Sequence, residues 1–502
     1  MSGFPEAMAA GFWIAFSWPN ILYPVVGTLL AMVVSFLPGL SGIMLMALAI
    51  PLTLSWDAEP TMLLFGALVG GATFMGSVTA ILFNIPGTAP NAATLFDGHP
   101  LARQGEARTA IACSAAASAL GSTFGVLVLV LLLPLLSALV LSFGPLEFLL
   151  LALWGLLAIA SVARGSMSRG LVTAGLGLLL AMVGRDPRVG DPRFTLGIDR
   201  LLDGLGVVPV FLGLFALAEI IDLAAGRRTT LSGRLQASEL TGSIRRGLGA
   251  VFRHFGLLLR SSTIGTVIGV IPGIGGTVAS FVAYASASQT AGADGRFGRG
   301  DIRGVLAPEA ANDAKDGGSL LPVFVFGVPG SEGSALLLAA MLIHGLVPGP
   351  ELLAEQLPLV FAVIWALLLS NWLTSLLGLA GAGLCARLTV LRLGLLVPFL
   401  LGLVVLGALS LRGEPFDLLL VAVFGLFGYA LKRFDWPRAP FVIAFVLGGL
   451  FERQLHLTLQ LVEYGRIRFL ERPVAMVLAL LIAATVVWGL AQARRTPRPG
   501  KG

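Results

Sequence analysis

Four Pro-Gly pairs interrupt apolar stretches of the chain, and each is flanked by small or polar residues. The first reads Leu37-Pro38-Gly39-Leu40-Ser41-Gly42 and the second reads Asn84-Ile85-Pro86-Gly87-Thr88. The third reads Ile271-Pro272-Gly273-Ile274-Gly275 and the fourth reads Gly327-Val328-Pro329-Gly330-Ser331. A Pro-Gly pair removes backbone hydrogen bonds and lets a helix stop and restart. The restarted helix presents free N–H groups and the positive end of its dipole, which together can receive a carboxylate.

A single Pro-Gly pair is better explained as a helix kink or as a place for close helix packing than as a binding site. These four pairs, however, recur in two halves of the chain. Pro38 and Pro272 are 234 positions apart, and Pro86 and Pro329 are 243 positions apart. Paired interruptions of this kind indicate the substrate site of a secondary transporter. We therefore predict a substrate-binding set consisting of Pro38, Gly39, Ser41, Asn84, Pro86, Gly87, Thr88, Pro272, Gly273, Gly275, Asn312, Pro329, Gly330 and Ser331.

Ionisable residues between the third and fourth breaks are candidates for ion coupling. Asp313, Lys315 and Asp316 follow Asn312, and charged groups at membrane depth are costly enough to indicate a function. Asp313 or Asp316 could bind a proton or Na⁺, and Lys315 could offset the charge of an anionic substrate. The sequence leaves an alternative open, in which 303–316 is a solvated loop whose charges pair with one another.

The composition predicts that these breaks lie inside a membrane. Of the 502 residues, 56% are hydrophobic and 12% are charged, whereas soluble domains average about 25% charged residues. The mean hydropathy is +0.92. Apolar runs that can span a bilayer recur from end to end. We expect an all-α polytopic membrane protein with about 12 transmembrane segments in two pseudo-repeats that contain Pro-Gly-broken helices.

A basic segment separates the two halves. Residues 227–253 hold six arginines against one acid, Glu239, and positive loops face the cytoplasm. We therefore divide the chain into a first transmembrane repeat (1–226), a basic cytoplasmic linker (227–253) and a second transmembrane repeat (254–502). The first twenty residues lack a basic leader, and we expect an interfacial segment or short helix there.

Several other functions are disfavoured by the residue content. The net charge of +6 follows from loops and tails that obey the positive-inside rule, so no nucleic-acid partner is expected. Cys113 and Cys385 stand alone in apolar surroundings, which indicates buried thiols and neither a disulfide nor a metal site. The four histidines are scattered, and His344 is interpreted as a packing residue. We expect no metal and no cofactor.

The chain resembles a known family over essentially its full length. The matching stretches are Leu37-Pro38-Gly39-Leu40-Ser41-Gly42, then Gly70-Gly71 with 77–87, 94–105, 269–273, 297–300, 304–312, 327–331, and Gly465 with Arg472-Pro473. In combination they are similar to the large permease subunit of the tripartite tricarboxylate transporters, the TctA family of bacterial inner membranes. The family pattern reads Glu-Ala-Ala-Asn-Asn-Ala where this chain has Glu309-Ala310-Ala311-Asn312-Asp313-Ala314, so Asp313 is a departure.

The resemblance implies a function and partners. Such a permease takes up di- or tricarboxylates such as citrate and is driven by an ion gradient, with H⁺ or Na⁺ as the coupling ion. It works with a small membrane subunit of about four membrane-spanning helices and with a periplasmic solute-binding protein. The absence of a GxxxxGK[ST] phosphate loop from this sequence agrees with a system that does not use ATP.

Two other functions were weighed against the permease. Gly39-Leu40-Ser41-Gly42 fits the GxSG pattern of intramembrane serine proteases, with His254 or His344 as an imaginable partner. The corresponding break, Gly273-Ile274-Gly275-Gly276, has no nucleophile, so the feature that recurs is the broken backbone and not the serine. An ion channel would favour symmetric subunits around a pore, whereas a duplicated chain with broken helices favours alternating access.

Overall fold

The computed structural model of the chain describes residues 3–37, 40–162, 167–225, 241–272, 274–292, 295–388, 393–466 and 471–495. In these ranges the regular structure is helical apart from one antiparallel pair, β1 (Gly184–Arg185) with β2 (Pro192–Arg193). The predicted all-α class is thereby confirmed for the described part of the chain. Pro38, Gly39, Gly273 and the linker segment 226–240 lie outside the described residues.

The helices fall into two groups along the chain, before and after residues 226–240. Those of the first half are α1 (Gly3–Phe16), α2 (Leu22–Phe36), α3 (Gly42–Leu52), α4 (Ala58–Gly71), α5 (Phe74–Phe83), α6 (Leu95–Arg103), α7 (Ala107–Val140), α8 (Pro145–Val162), α9 (Met167–Ala181), α10 (Val207–Phe211) and α11 (Ala218–Ala224). Short 3₁₀ turns occupy Ala89–Ala92 and Asp199–Leu201, and a π-helical turn, Leu212–Leu217, joins α10 to α11.

The helices after residue 240 begin with α12, which lies within the predicted linker, and continue into the predicted second repeat. They are α12 (Ile244–Arg253), α13 (Phe255–Val270), α14 (Gly275–Gln289), α15 (Arg303–Phe326), α16 (Glu332–Ile343), α17 (Pro350–Glu355), α18 (Leu357–Leu388), α19 (Leu393–Arg412), α20 (Pro415–Arg433), α21 (Ala439–Glu463) and α22 (Pro473–Arg495). The first residues of the chain form α1, in agreement with the short helix expected there.

Six helical stretches in the described residues are long and apolar enough to cross a membrane, by length and composition. They are Ala58–Phe83, Ala107–Val140, Val207–Ala224, Leu357–Gly381, Pro415–Arg433 and Ala439–Glu463. Other apolar helices, including α2, α3, α13 and α16, have 10–17 residues and rise less than the roughly 30 Å of a hydrocarbon core. The chain therefore has the helices of a multi-pass membrane protein, and the total of about 12 crossings stays a prediction.

Helix α15 lies at the centre of the molecule and is buried from Gly304 to Val325. Neighbouring helices approach its backbone through glycines. A methyl group on Gly121 or Gly125 of α7 would lie 2.4 or 2.2 Å from a carbonyl oxygen of α15, and one on Gly265 of α13 would lie 2.2 Å away. Such small residues let membrane helices pack at short range. The long helix α7 of the first half thus packs on the central helix of the second half.

On the other side of the core, a long helix of the second half packs on the first half. Helix α18 of the second half packs along α4 of the first half. Gly66 and Gly70 of α4 would place a methyl group 2.8 and 2.7 Å from the carbonyl oxygens of Val363 and Leu367. The two halves are therefore interlocked through their long helices.

The remaining helices form an outer layer that is also shared between the halves. Helices α8 and α9 pack against α21 and α22, and the π-helical turn packs against α20. Ion pairs with buried carboxylates also join these parts of the chain: Glu147 of α8 pairs with Arg472 at 2.7 Å, and Glu219 of α11 pairs with Arg438 at 3.0 Å and with Lys432. Removing one partner of such a pair would leave a buried charge uncompensated.

A polar cluster fixes the β1–β2 hairpin to α21. Arg193 Nη1 lies 2.6 Å from Glu452 and 3.3 Å from Asp186, and His456 Nε2 lies 3.5 Å from Glu452. Ligand atoms of Asp186, Glu452 and His456 lie within 4.8 Å of one another, a grouping that the scattered histidines of the sequence did not suggest. Because the Arg193 guanidinium already bridges the two carboxylates, we interpret this cluster as structural.

Candidate functional site

The first and third breaks turn the chain back on itself. Tyr23 near the start of α2 contacts Trp56 just beyond α3, with ring centroids 5.3 Å apart. Arg260 on the first half of α13 donates to Thr290 Oγ1 at 2.7 Å, just beyond α14. Since the outer ends of each helix pair meet, α2–α3 and α13–α14 are helical hairpins, and the stretch of sequence that joins the two helices of each pair contains a Pro-Gly pair.

The two hairpins enter from opposite ends of α15. The base of α13–α14 lies beside Arg303, the first residue of α15. At the other end of α15, Phe326 stacks on Phe143 beyond the end of α7, at 5.3 Å. Helix α7 begins beside the linker, where the Arg108 N–H donates to Thr241 O at 2.9 Å. We call the end of the molecule that holds Arg303 and Thr241 the linker side.

The base of the α2–α3 hairpin lies away from the linker side. His344, which follows α16, lies 3.1 Å from Thr53 O at the end of α3 and 3.3 Å from Thr61 Oγ1 on α4. The α4–α5 pair then runs toward the linker side, because Ile81 O near the end of α5 lies 3.1 Å from His99 on α6. The tips of the two hairpins consequently point toward each other inside the core.

The second and fourth breaks have the same local structure. Helix α5 ends at Asn84 with φ 55°, and α15 ends at Gly327 with φ 67°, both left-handed caps. The following turn is capped in each case: Thr88 pairs with Asn91, and Ser331 pairs with Ser334. The predicted binding groups Thr88 and Ser331 therefore use their hydroxyls as helix caps, and Asn84 and Pro86 lie exposed.

The second and fourth breaks pack closely against the hairpins through glycines. A methyl group on Gly87 would lie 2.3 Å from Gly76 Cα and 3.0 Å from Ser35 O at the end of α2. One on Gly330 would lie 2.7 Å from Gly269 O at the end of α13 and 3.0 Å from Ser319. Pro329 and Gly330 are buried in this contact. Each second break is therefore held against the hairpin tip of its own half.

The centre of the site lies where the α13–α14 tip meets α15. A methyl group on Gly276 would lie 2.6 Å from Lys315 Cε, 2.7 Å from Asn312 Oδ1 and 3.1 Å from Pro90 Cγ. Gly275, at φ 70°, begins α14 directly before this contact. The structure thus brings Asn312 and Lys315 to an uncapped helix N-terminus and to the second break of the other half.

The side chain of Asn312 is buried without a hydrogen-bond partner among the described residues. It is 1% exposed, and both its Oδ1 and its Nδ2 are unpaired. Burying an unpaired amide costs about 1–3 kcal/mol, and such exceptions in a folded protein require an explanation. A ligand that accepts from Nδ2 would supply one.

The carboxylates of α15 are buried beside this point. Asp313 accepts a hydrogen bond from Thr73 at the α4–α5 joint, and Lys315 pairs with Asp316. The second oxygen of Asp313 and that of Asp316 are buried without a partner among the described residues. The solvated-loop alternative for 303–316 is therefore wrong, because α15 begins at Arg303 and is buried from the next residue onward.

The first break lies next to the same carboxylates. A methyl group on Gly42, the first residue of α3, would lie 2.4 Å from Ala72 Cβ, and Ala72 directly precedes Thr73. Pro38 and Gly39 are not described, and neither is Gly273 in the third break. The described parts of all four breaks thus surround the middle of α15 and the α4–α5 joint.

Sequence reasoning missed the role of Glu309, the most elaborately hydrogen-bonded group in this region. Its carboxylate accepts from Ser77 Oγ at 2.5 Å, from Ser114 Oγ at 3.0 Å, from Ser118 Oγ at 3.4 Å and from Thr94. Glu309, Asp313 and Asp316 follow an i, i+4, i+7 pattern, which places them on one helix face. That spacing was the signal that could have identified the residue.

Asp97 was also missed as a connection between the halves. It is fully buried and accepts from Tyr284 at 2.8 Å, from the Gly300 N–H at 2.9 Å and from the Asp301 N–H at 2.8 Å. Asp301 in turn binds Arg303. Although burial raises the pKa of Asp301, hydrogen bonds from Arg303 and Arg296 outweigh it and hold that pKa below its usual value.

The geometry gives no support to the serine-protease alternative. Ser41 Oγ caps α3 by accepting from the Met44 N–H at 3.1 Å. His344 contacts Ala340 O, Thr53 O and Thr61, as a packing histidine would. His254 lies at the base of the other hairpin.

Comparison with known proteins identifies the family. The model of the tripartite tricarboxylate transporter TctA family matches residues 21–443. An uncharacterised 52.8 kDa protein in the TAR-I ttuC′ 3′ region of Agrobacterium vitis is 31% identical over 498 residues, which cover 98% of this chain and 97% of that protein. An uncharacterised protein in the TAR-II ttuC′ 3′ region of the same organism is 31% identical over 234 residues, which cover 47% of this chain and 97% of that protein. No solved structure matches.

The matched region extends from the residue before α2 into α21 and includes all four breaks, the buried helix α15 and both hairpins. The chain belongs to the tripartite tricarboxylate transporter TctA family.

Proposed function

We propose that this chain is the large membrane subunit of a tripartite system that takes up di- or tricarboxylates, such as citrate, using an ion gradient. Its family is one of tricarboxylate transporters. In this proposal a periplasmic solute-binding protein delivers the substrate, and a small membrane subunit completes the complex in the bacterial inner membrane. The chain acts as a transporter and not as an enzyme.

The proposed architecture is a duplication, with repeats at 1–226 and 254–502 joined by the linker 227–253. Matching contacts support it. In the first half Gly42 contacts Ala72, and in the second half Gly276 contacts Lys315. Gly276 lies 234 positions after Gly42, and Lys315 lies 243 positions after Ala72. The capping pairs Thr88–Asn91 and Ser331–Ser334 are also 243 positions apart.

The repeats are inverted with respect to the membrane in this proposal. The support is that the base of the α2–α3 hairpin and the base of the α13–α14 hairpin lie at opposite ends of the molecule, so that the two hairpins point toward each other. With the basic linker on the cytoplasmic side, the α13–α14 hairpin enters from the cytoplasm and α2–α3 from the periplasm. The hairpins do not span the bilayer, and the other apolar helices supply about 12 crossings.

The substrate carboxylates bind between the two hairpin tips. There the first N–H groups of α14, the Lys315 ammonium and the Asn312 amide converge, and all three favour an anion. The single observation that carries this assignment is the buried, unpaired amide of Asn312. The second and fourth breaks, at Gly87 and Gly330, hold the tips in place through their contacts with Ser35 and Gly269.

The coupling ion binds at Asp313 or Asp316. Each carboxylate keeps one buried oxygen without a partner among the described residues, and a proton or Na⁺ would satisfy it. Occupancy by the ion would neutralise negative charge beside Lys315 and so favour binding of an anionic substrate. One half then rocks or slides against the other to move the loaded site between the two sides of the membrane.

Uptake measurements in cells test this function. Labelled citrate and a panel of other carboxylates would be offered to cells that express this chain with the small subunit and the binding protein encoded nearby. We expect uptake that requires all three proteins and that stops when ionophores collapse the proton or sodium gradient. Failure of the complete system to take up any carboxylate, or uptake that is indifferent to both gradients, would refute the proposal.

A pair of variants tests whether Asp313 has a specific role in ion coupling or whether any change of a buried aspartate impairs uptake. Asp313→Asn is expected to abolish gradient-driven uptake, with Asp417→Asn as the matched control, because Asp417 is an equally buried aspartate on α20. Equal uptake by the two variants would contradict the assignment of Asp313.

A further inference from the structure

A cavity lies at the base of the α13–α14 hairpin, on the linker side. Its volume is about 270 Å³, and its lining includes His254, Leu257, Arg260, Thr290, Ala291 and Arg303. Since one water occupies about 30 Å³ of liquid, the cavity can hold a phosphate group with several waters. Ten residues of α13 separate Arg260 from the end of that helix at Val270, so the cavity lies about 15 Å from the hairpin tip.

The cavity is basic, and Arg260 is its centre of charge. The lining residues carry two guanidinium groups and no carboxylate. Arg303 is neutralised by Asp301, with Nη2 2.6 Å from Oδ2. Arg260 donates through Nη2 to Ser286 O at 3.3 Å and to Thr290 Oγ1 at 2.7 Å, while its Nε is buried without a partner among the described residues. The guanidinium thus has donor capacity left for an anion.

His254 adds a hydrogen-bonding group to the same wall. Burial, followed by the charge of Arg303, lowers the pKa of His254. The imidazole is therefore neutral at neutral pH and contributes a hydrogen bond to the cavity without a further charge.

The surroundings of the cavity are those of a membrane interface. Phe255 and Leu259 lie one turn apart on the same face of α13 and are 46% and 39% exposed, and Phe252 of α12 is 66% exposed. Helix α12 combines such apolar residues with Arg245 and other arginines while burying Val251. A short basic amphipathic helix of this kind lies in the plane of an interface, and basic pockets on the cytoplasmic side receive lipid head groups.

We propose that this cavity binds a phosphate group, and that Arg260 and His254 form its anion site. Thr290, whose hydroxyl donates to Ser286 O at 2.9 Å and accepts from Arg260, orients the guanidinium. The phosphate is carried either by an anionic phospholipid, whose acyl chains lie along Phe255 and Leu259, or by free inorganic phosphate. Arg260 belongs to α13 and bonds to Thr290, which follows α14. An anion bound to Arg260 therefore lies where the two helices meet, at the base of the hairpin whose tip carries the proposed substrate site. The anion site is independent of the carboxylate assignment.

The test uses the purified full-length chain in detergent. Phosphatidylglycerol, phosphatidylcholine of the same acyl composition, inorganic phosphate and citrate are added separately. Retained lipid is measured by native mass spectrometry and the shift in thermal unfolding by fluorescence. We expect phosphatidylglycerol to be retained and to raise the unfolding temperature, with no such effect from phosphatidylcholine. Arg260→Gln should weaken retention by about tenfold, the loss of one charge-assisted hydrogen bond.

Two further variants make the test specific. Arg245→Gln removes the same charge from the exposed surface of α12, outside the cavity lining, and should retain the lipid. Ala291→Leu places a larger side chain in the cavity while Arg260 is kept, and this variant should lose the lipid. The proposal is therefore testable even if Arg260→Gln does not fold.

Each outcome has a definite meaning. Stabilisation by phosphatidylglycerol alone assigns the site to a lipid head group, and stabilisation by inorganic phosphate as well assigns it to the phosphate group itself. Displacement of the lipid by citrate but not by phosphate would overturn the proposal, since the cavity would then be a carboxylate site. Equal lipid retention by wild type and Ala291→Leu would overturn it too.

Discussion

Replacing Asn312 by leucine is expected to weaken substrate affinity in carboxylate uptake by about tenfold or more, while leaving the fold at least as stable as the wild type. The Asn312 amide is 1% exposed and has no hydrogen-bond partner among the described residues, so its removal breaks no bond within them. Leucine has a similar shape and needs no partner. The change should therefore raise the free energy of unfolding by about 1–3 kcal/mol, because the folded protein no longer buries an unpaired amide.

Transport should respond in the opposite direction. Loss of one hydrogen bond from the amide to a charged carboxylate corresponds to about 1.5–3 kcal/mol, which is about tenfold or more in substrate affinity. Labelled citrate uptake over a range of concentrations, together with thermal unfolding of the purified variant, measures both effects.

Asn91→Leu is the matched control for this substitution. The Asn91 amide donates to Ser77 Oγ at 2.7 Å and to Thr73 O at 3.3 Å, and it accepts from the Thr88 N–H at 3.2 Å. Its loss should destabilise the protein by about 3 kcal/mol, because these groups are left unpaired. Normal citrate uptake by Asn312→Leu, or a loss of stability as large as that of Asn91→Leu, would refute the reasoning that Asn312 is reserved for a ligand.

Three other predictions concern the breaks and the buried carboxylate of Glu309. Ser41→Ala should cost about 0.5–2 kcal/mol in thermal unfolding because α3 loses its cap, yet citrate uptake should persist; Ser41-dependent cleavage of a helical membrane substrate would contradict this. Gly330→Ala should impair uptake, because its methyl group would lie 2.7 Å from Gly269 O, whereas Gly333→Ala meets Met46 Sδ at 3.7 Å and Ser331 Oγ at 4.0 Å and should be tolerated; equal uptake by both would refute the tight contact. Glu309→Leu should lower the free energy of unfolding by about 3–5 kcal/mol, since four hydroxyl groups lose a buried charged acceptor, and Glu309→Gln should lose less; equal stability of the two variants, measured by denaturant unfolding, would contradict this.

The sequence predicted the breaks because Pro-Gly pairs act locally. Proline lacks an N–H and glycine tolerates unusual φ values, so the ends of α2 and α13 follow from the residues themselves. The sequence also placed Asn312 and Lys315 near the third break. The gap between Pro272 and Asn312 in the chain gave no indication that Gly276 would contact both residues.

What the sequence could not predict depends on long-range packing. The charges of α15 look like those of a solvated loop, and only the glycines of α7 and α13 show that neighbouring helices bury them. The bonds from Asp97 to Tyr284 and from Glu309 to Ser77 join residues about two hundred positions apart. Hydrophobic periodicity carries no information on such pairs, because they are set by the interlocking of the two halves.

Protection of single cysteines by substrate tests most directly the claim that the second break of the first half and the α13–α14 tip face one binding site between the hairpin tips. In a background in which Cys113 and Cys385 are replaced by alanine, cysteine would be introduced singly at Ala89, beside the second break, and at Thr277, at the α13–α14 tip. Cysteine in place of the exposed Val189 in the β1–β2 hairpin is the control. The proposed site predicts that citrate slows maleimide labelling at 89 and 277 and leaves labelling at 189 unchanged. Labelling of all three cysteines at rates that citrate does not alter would contradict a shared carboxylate site between the hairpin tips.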